Sequence, residues 1–225
     1  MRGLVLVLIA ITVTPIFVVN AFRVLSNDWF VRYELGQKEF PTDRDGLAGD
    51  DRLLLALTGL RSIQPGGEGI ELLERATLPD GSPAFNSREL RHMADVRRLL
   101  GQALRLQLIV VSILLALGIA LVRSSRWRTV VPRGLQLGAF ATFVIALLAV
   151  PTILLGFDDF FLRFHEVFFT GDSWRFSTSD TLLRLYPEAF WQDTSQLAAG
   201  IVVLQAIVVS VVATWWLRRI HRAVP

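Results

Sequence analysis

The sequence predicts an integral membrane protein, mainly α-helical, with four transmembrane helices and a small extracytoplasmic α+β head. Hydrophobic residues make up 52% of the 225 positions, and the mean hydropathy is +0.48. Both values exceed those of ordinary soluble domains. The excess is concentrated in four runs, each near the roughly 20 residues that cross about 30 Å of hydrocarbon. None has a central charge, which argues against a proton pump or voltage sensor. The runs are residues 3–19, 106–122, 134–155 and 197–217.

The first run could be mistaken for a signal peptide. Met1 and Arg2 precede it, and Val19-Asn20-Ala21 resembles a cleavage site. The run is long for such a segment, so we expect a membrane span.

Arginines predict the orientation. Arg2 precedes the first run, and arginines cluster between the second and third runs and after the fourth, which makes these segments and both termini cytoplasmic. All 20 acidic residues fall in the two segments that this orientation leaves outside the cytoplasm. The excess of basic over acidic residues therefore reflects the membrane topology, and no nucleic-acid partner is expected. The absence of cysteine excludes a thiolate nucleophile and disulfides.

The expected segments follow this orientation. A first span at 1–22 leads to an extracytoplasmic head at 23–105, which ends in a helix continuous with the second span at 106–122. A basic cytoplasmic loop at 123–133 and a third span at 134–155 come next. They are followed by an aromatic extracytoplasmic segment at 156–196, a fourth span at 197–217 and a cytoplasmic tail at 218–225.

The first outer segment mixes several element signals. In "NDWFVRYEL", Trp29, Val31, Tyr33 and Leu35 alternate with polar residues except at Phe30, which breaks the pattern; the stretch predicts a strand. "DDRLLLALTGLRSI" is typical of a short helix, and "IELLERATLPDGSPAF" is ambiguous apart from a strong Pro-Asp-Gly turn, which suits a hairpin.

A long helix is predicted from Ser87 to Val122. Asn86 can cap it, and Glu89 three residues later completes a capping box. His92 lies about 21 Å along the axis before the apolar run, at headgroup depth or just above. Glu89 and Asp95 lie three residues to either side, so either carboxylate could orient the imidazole.

The second outer segment packs eight Phe, two Trp and a Tyr among polar residues, a mixture typical of the membrane interface. It also contains His165, so the two outer histidines could meet at one membrane face; the third, His221, lies in the tail. A metal site from His92, Asp95, His165 and a further carboxylate is an alternative, but no HExxH-type spacing supports it. No GxSxG motif indicates a serine nucleophile.

Two stretches resemble the signature blocks of the bacterial lipoprotein intramolecular transacylase family. They are "FNSRELRHMADVRRL" and "FHEVFFTGDSWRFSTSDTLLRLYPEAFW". The resemblance implies a four-helix bundle in the bacterial plasma membrane, capped by an extracellular head. It implies that the sn-2 acyl chain of a diacylglyceryl-cysteine lipoprotein moves from the glycerol oxygen to the cysteine α-amine. The partners are then this substrate and membrane lipids, without a cofactor. The catalytic pair is His92 and His165, and the supporting motif positions are Glu89, Asp95, Asp172, Trp174 and Asp180.

This chemistry suits two imidazoles. A histidine with an ordinary pKa of about 6.5 can deprotonate an α-amine of pKa about 7.7 to 8, and a second, protonated imidazole can stabilise the oxyanion and protonate the leaving glycerol. We assign His165 as the base and His92 as the acid; the reverse assignment stays open. A non-catalytic subunit of a larger membrane complex is the main alternative, and it predicts imidazoles more than about 10 Å apart. A metal-dependent interfacial hydrolase is a third.

Overall fold

The structure is a computed structural model that describes residues 1–43, 45–124 and 127–222. Over these residues the fold is mainly helical, and four of the helices (α1, α5, α6 and α9) are long and apolar enough to cross a membrane. Arg126 of the basic link and residues 223–225 of the tail lie outside the described residues. The helices are α1 (Arg2–Leu25), α2 (Asp28–Leu35), α3 (Gly49–Ile63), α4 (Glu71–Glu74), α5 (Ser87–Val122), α6 (Val130–Leu155), α7 (Phe157–Phe168), α8 (Thr181–Leu185) and α9 (Glu188–Arg222).

The prediction of an α+β head is wrong for the residues described, because none of them forms a strand. The segment predicted as a strand is α2. Phe30, Val31 and Glu34 are buried, a spacing of three to four residues that places them on one helical face. Trp29 and Tyr33, which the alternating pattern placed on the buried side, are 54% and 58% exposed. Over only eight residues, the two-residue period of a strand and the 3.6-residue period of a helix are hard to tell apart. The residues that are buried follow the helical period.

The other short elements of the first outer segment follow the sequence more closely. The predicted helix is α3, and the Pro-Asp-Gly turn is present, with Gly81 at a φ of +84° that a side chain would strain. The turn closes only an isolated antiparallel bridge between Thr77 and Pro83, so the hairpin suggested by the turn has no paired strands among the described residues.

The chain folds into two compact units. Unit 1 contains the described residues of Met1–Phe22, Leu104–Thr152 and Gln196–Pro225; unit 2 contains the described residues of Arg23–Ala103 and Ile153–Ser195. The core of unit 1 joins three helices through small and branched side chains. They are Val13, Phe17 and Ala21 of α1, Ala139 of α6, and Val202 and Ala206 of α9.

Polar side chains inside unit 1 bond with one another. Gln107 Nε2 donates to Asn20 Oδ1 at 2.9 Å, and Asn20 Nδ2 donates to Gln205 Oε1 at 2.9 Å, which links α5, α1 and α9. In hydrocarbon an amide without a partner would be costly, so these bonds explain how mild polar residues are accommodated in apolar helices. Close contact between α1 and α6 occurs at Gly138, where an added Cβ would lie 2.7 Å from the Ala10 carbonyl oxygen.

Unit 2 is held by buried arginines. Arg184 of α8 makes a bidentate pair with Asp43, at 2.9 Å and 2.8 Å, and both side chains are nearly buried. Arg52 of α3 donates to the carbonyl oxygens of Arg184 and Pro41. A planar guanidinium suits such multiple bonds. These contacts fix α8 against α3 and so position the loop that precedes α8.

Candidate functional site

The first site residue, His92, stands one turn into α5, whose start is fixed by the predicted capping box. Asn86 Oδ1 accepts the backbone N–H of Glu89 at 3.1 Å, and Glu89 Oε2 accepts the backbone N–H of Asn86 at 2.7 Å. This reciprocal pair gives acceptors to two backbone N–H groups, which have no partner inside the helix at its start. The capping-box prediction is therefore confirmed, and so are the bounds of the helix.

Glu89 also reaches a second element. Its Oε1 accepts the backbone N–H of Leu182 at 2.7 Å, and the side chain is 1% exposed. Burial raises the pKa of Glu89, against the lowering effect of the backbone N–H donors. The carboxylate thus joins the first turn of α5 to the first turn of α8 and is not aimed at an imidazole.

The second site residue, His165, lies in the last turn of α7. Its Nδ1 is 2.8 Å from the carbonyl oxygen of Phe161, one turn earlier. A carbonyl only accepts, so Nδ1 carries the hydrogen in this bond, and the neutral ring has its lone pair on Nε2. The Phe161 ring packs on the imidazole with centroids 4.2 Å apart, which limits rotation of the imidazole.

The two imidazoles lie together in unit 2. Their ring centroids are 5.9 Å apart with an interplanar angle of 28°, and each side chain is 8% exposed. Phe169 contacts both rings, at 4.9 Å from His92 and 5.5 Å from His165. Phe176 closes on His92 at 5.3 Å and Trp174 on His165 at 5.1 Å. Residues 73 positions apart in the sequence thus form one aromatic-walled cluster.

This apolar enclosure keeps both rings neutral. Burial, together with the neighbouring His165, lowers the pKa of His92 to about 4, although Asp95 opposes the shift. Burial also lowers the pKa of His165, against the Phe161 hydrogen bond, which raises it. The lowered pKa of His92 favours a neutral ring over the protonated acid expected from the sequence. A neutral imidazole can still donate one N–H and accept at its other nitrogen.

Neither carboxylate that was expected to orient His92 hydrogen-bonds to it in the described part of the chain. Asp95 pairs with Arg98 at 3.0 Å and accepts a long bond of 3.4 Å from Ser173. Glu89 is engaged with backbone N–H groups, as described above. Asp95 acts on His92 only through its charge.

The remaining motif residues belong to the loop between α7 and α8. Asp180 accepts from Asn86 Nδ2 at 2.9 Å and from the Ser177 backbone N–H at 2.8 Å, so it ties this loop to the start of α5. Asp172 is exposed and accepts through its backbone carbonyl from Arg175 at 3.0 Å. Trp174 is 9% exposed. Gly171, at a φ of +77°, allows the turn that directs Trp174 inward.

The metal-site alternative finds no ligand set in residues 1–43, 45–124 and 127–222. No three His, Cys, Asp or Glu side chains gather there closely enough to hold an ion. The described cluster is built of rings, with Asp95 at its edge bound to Arg98.

Sequence reasoning missed three contributors to the site. Phe169 and Phe176 wall the imidazoles, and the Phe161 carbonyl sets the tautomer of His165. The density of phenylalanine in this segment was visible, but it was interpreted as an interfacial belt. The spacing of four between Phe161 and His165 was the one available signal, since such residues stack on a helix.

Comparisons with known proteins place the chain in a family. The sequence model of the family described as "Lipoprotein intramolecular transacylase Lit" matches residues 3–191. An "Uncharacterized protein" of Aquifex aeolicus (strain VF5) is 32% identical over 212 residues, which is 93% of either chain.

Three solved structures of the membrane integral lipoprotein intramolecular transacylase Lit from Bacillus cereus share the fold. One matches with a TM-score of 0.81 at 17% identity, over 99% of both chains. Forms with one histidine replaced by arginine or alanine give TM-scores of 0.74 and 0.66 at 18% and 17% identity, over 99% of this chain and 95% and 96% of theirs. Because the family model spans most of the sequence, the chain belongs to the lipoprotein intramolecular transacylase family, a family of membrane acyltransferases.

Proposed function

We propose that this protein moves the sn-2 acyl chain of a diacylglyceryl-cysteine lipoprotein from the glycerol oxygen to the α-amine of the same cysteine, with His92 and His165 as the catalytic pair. Membership of the family supports the reaction class. The observation that carries the mechanism is the 5.9 Å separation of the two ring centroids. A non-catalytic subunit would have no need for this convergence, and the separation is well below the 10 Å or more which that alternative predicted.

His165 acts as the base. Its Nδ1–H is held by the Phe161 carbonyl, which leaves Nε2 free to take a proton from the attacking amine. Its lowered pKa keeps the ring neutral at neutral pH, so the lone pair is available. After attack, the same nitrogen returns the proton to the departing glycerol oxygen. One proton thus moves from nitrogen to oxygen, and no other donor is needed.

His92 acts as a neutral hydrogen-bond donor toward the oxyanion. A pKa of about 4 disfavours a cationic ring, but a preorganised N–H in an apolar site stabilises developing negative charge without prior protonation. The hypothesis of a protonated His92 is replaced by this one. The roles rest on the different surroundings of the two rings: Phe161 orients one, and the Nδ1 of the other is buried without a hydrogen-bond partner.

No enzyme nucleophile is required, because donor ester and acceptor amine belong to one molecule. Holding the two groups in contact supplies part of the rate enhancement. The arginine distribution of the sequence supports a site at the outer leaflet, with both termini in the cytoplasm. Exposed apolar residues of α7 near His165, among them Phe164, Val167 and Phe168, give lipid chains a surface to contact.

The test uses the purified protein in detergent micelles with a synthetic diacylglyceryl-cysteine lipopeptide. We expect wild-type protein to yield the N-acyl, lyso-glyceryl product, and His92→Ala or His165→Ala each to lower the rate by about 10² or more. His221→Ala is the matched control, because its Nδ1 also bonds a backbone carbonyl, that of Leu217, and the residue is exposed in unit 1. Undiminished product formation by either site variant would refute the mechanism.

A further inference from the structure

The described residues contain two buried side-chain nitrogens that lack a hydrogen-bond partner, and both are in the histidine cluster. They are His92 Nδ1 and Trp174 Nε1. Elsewhere in unit 2 the buried polar side chains are satisfied: the Thr181 hydroxyl donates to the Ala84 carbonyl, and that of Tyr186 to the Ala56 carbonyl. The deficit is therefore confined to the site.

The indole nitrogen is the more informative of the two. A neutral imidazole nitrogen without hydrogen can stay unpaired at modest cost, but an indole Nε1 can only donate. Leaving such a donor buried and unpaired costs about 1 to 3 kcal/mol. Trp174 is 9% exposed, so bulk water does not offset this cost. This cost is removed when a bound ligand places an acceptor oxygen within hydrogen-bond distance of the indole N–H.

The rings that neighbour Trp174 indicate which ligand oxygen its N–H would bind. Its ring lies 5.1 Å from the His165 ring, at an interplanar angle of 31°, and His165 is 5.9 Å from His92. An ester placed against the His165 base would therefore lie beside both neighbouring rings, each of which carries an N–H group. The acceptor that gains most charge in the reaction is the ester carbonyl oxygen, which becomes an oxyanion when the amine attacks.

We propose that Trp174 is a third catalytic residue, whose Nε1–H donates to the sn-2 ester carbonyl oxygen and to the oxyanion formed there. This proposal rests on the proposed function. When the amine nitrogen attacks the ester carbonyl carbon, the new C–N bond forms and the π electron pair of the C=O bond moves to the carbonyl oxygen, which accepts the indole N–H. The pair then returns, the bond to the glycerol oxygen breaks, and His165 transfers the amine proton to that oxygen. Trp174 itself loses no proton.

The direct experiment is Trp174→Phe, which keeps an aromatic ring but deletes the N–H. Removing one oxyanion donor lowers kcat by about 10² to 10³. We expect a fall of that size with KM changed less than about threefold, because the bond strengthens in the transition state. Trp29→Phe is the matched control: Trp29 is also in unit 2 but is 54% exposed, and we expect wild-type kcat.

A second replacement separates the N–H from the shape of the ring. β-(3-Benzothienyl)alanine at position 174 carries sulfur in place of the indole N–H with nearly the same outline, so folding is preserved even if Trp174→Phe unfolds. We expect the same fall in kcat, with unchanged binding of an amine-acetylated lipopeptide that cannot react. Weaker binding with unchanged kcat would instead mean that Trp174 only packs.

The outcomes distinguish the two proposals. Wild-type activity with kcat unchanged in the benzothienyl variant would overturn the role of Trp174 and leave the proposed function standing. Absence of acyl transfer by wild-type protein would overturn both. A loss equal in Trp174→Phe and Trp29→Phe would make the effect one of general packing and would also contradict the proposal.

Discussion

At the scale of single residues, the proposed mechanism rests on His92 and His165, because both are buried in one aromatic cluster. Three histidines in the chain, one of them in a basic tail, were enough to isolate this pair from the sequence. Protonation states were not predictable in the same way, since they depend on desolvation by Phe169, Phe176 and other side chains brought in by folding.

The buried His92 predicts a loss of stability in acid. Its pKa falls from 6.5 to about 4 on folding, so between these values the unfolded state binds the proton more readily. Stability from this group is complete above pH 6.5 and declines as pH falls to about 4. The full difference corresponds to about 3 kcal/mol. His165 and Asp95 face the ring, and the lowered pKa of His165 acts in the same direction.

The measurement is the thermal midpoint in detergent micelles between pH 4 and 7. Glu34 opposes the trend, because burial and the neighbouring Asp193 raise its pKa to about 7 and its protonation favours the folded state. The contribution of His92 is therefore obtained from the difference in thermal midpoint between variant and wild type at each pH. We expect His92→Gln to flatten the acid decline and His221→Gln to leave it unchanged. An equally steep decline in His92→Gln would refute the neutral, buried ring.

At the scale of elements, the start of α5 depends on a carboxylate shared with α8. Glu89 accepts backbone N–H groups of Asn86 and Leu182 and stands three residues before His92. In Glu89→Gln one acceptor oxygen is replaced by an NH2 group, which can only donate and therefore cannot accept a bond from a backbone N–H. An unmatched buried donor costs about 1 to 3 kcal/mol, so we expect a lower thermal midpoint.

Glu89→Gln should also reduce activity, because one of the two bonds that fix the first turn of α5, just before His92, is lost. The control is Glu74→Gln, at an exposed position of α4 in the same unit. We expect that variant to match wild type in both thermal midpoint and rate. A Glu89→Gln protein as stable as the control would contradict the structural role given to this carboxylate.

The elements also mark where sequence reasoning succeeds and fails. The capping residues Asn86 and Glu89 act within one turn, so their pattern was sufficient to predict the helix start. The pattern in α2 is short, and packing of Phe30 on Phe190, 160 residues away, decides which face is buried. Local signals cannot contain that contact, and the predicted strand was wrong for this reason.

At the scale of the whole molecule, the sequence predicted the four apolar helices but not the contacts inside each unit. Asn20, Gln107 and Gln205 are mild polar residues in or beside the apolar runs, and their mutual hydrogen bonds give the reason for their presence. In unit 2 the histidines were expected to meet because both lie in segments assigned to the outer face. The unpaired Trp174 Nε1 could not be predicted, since it is defined by the absence of any neighbouring acceptor after folding.

The central claim is that the protein transfers an acyl chain within one lipopeptide molecule. The most direct test mixes two diacylglyceryl-cysteine lipopeptides of different sequence, one with a deuterated sn-2 chain, with the purified wild-type protein. Tandem mass spectrometry then locates the label. We expect every transferred deuterated chain on the α-amine of its own peptide, with a lyso-glyceryl group left behind. Deuterated chains on the other peptide, or no acylated amine at all, would contradict the claim.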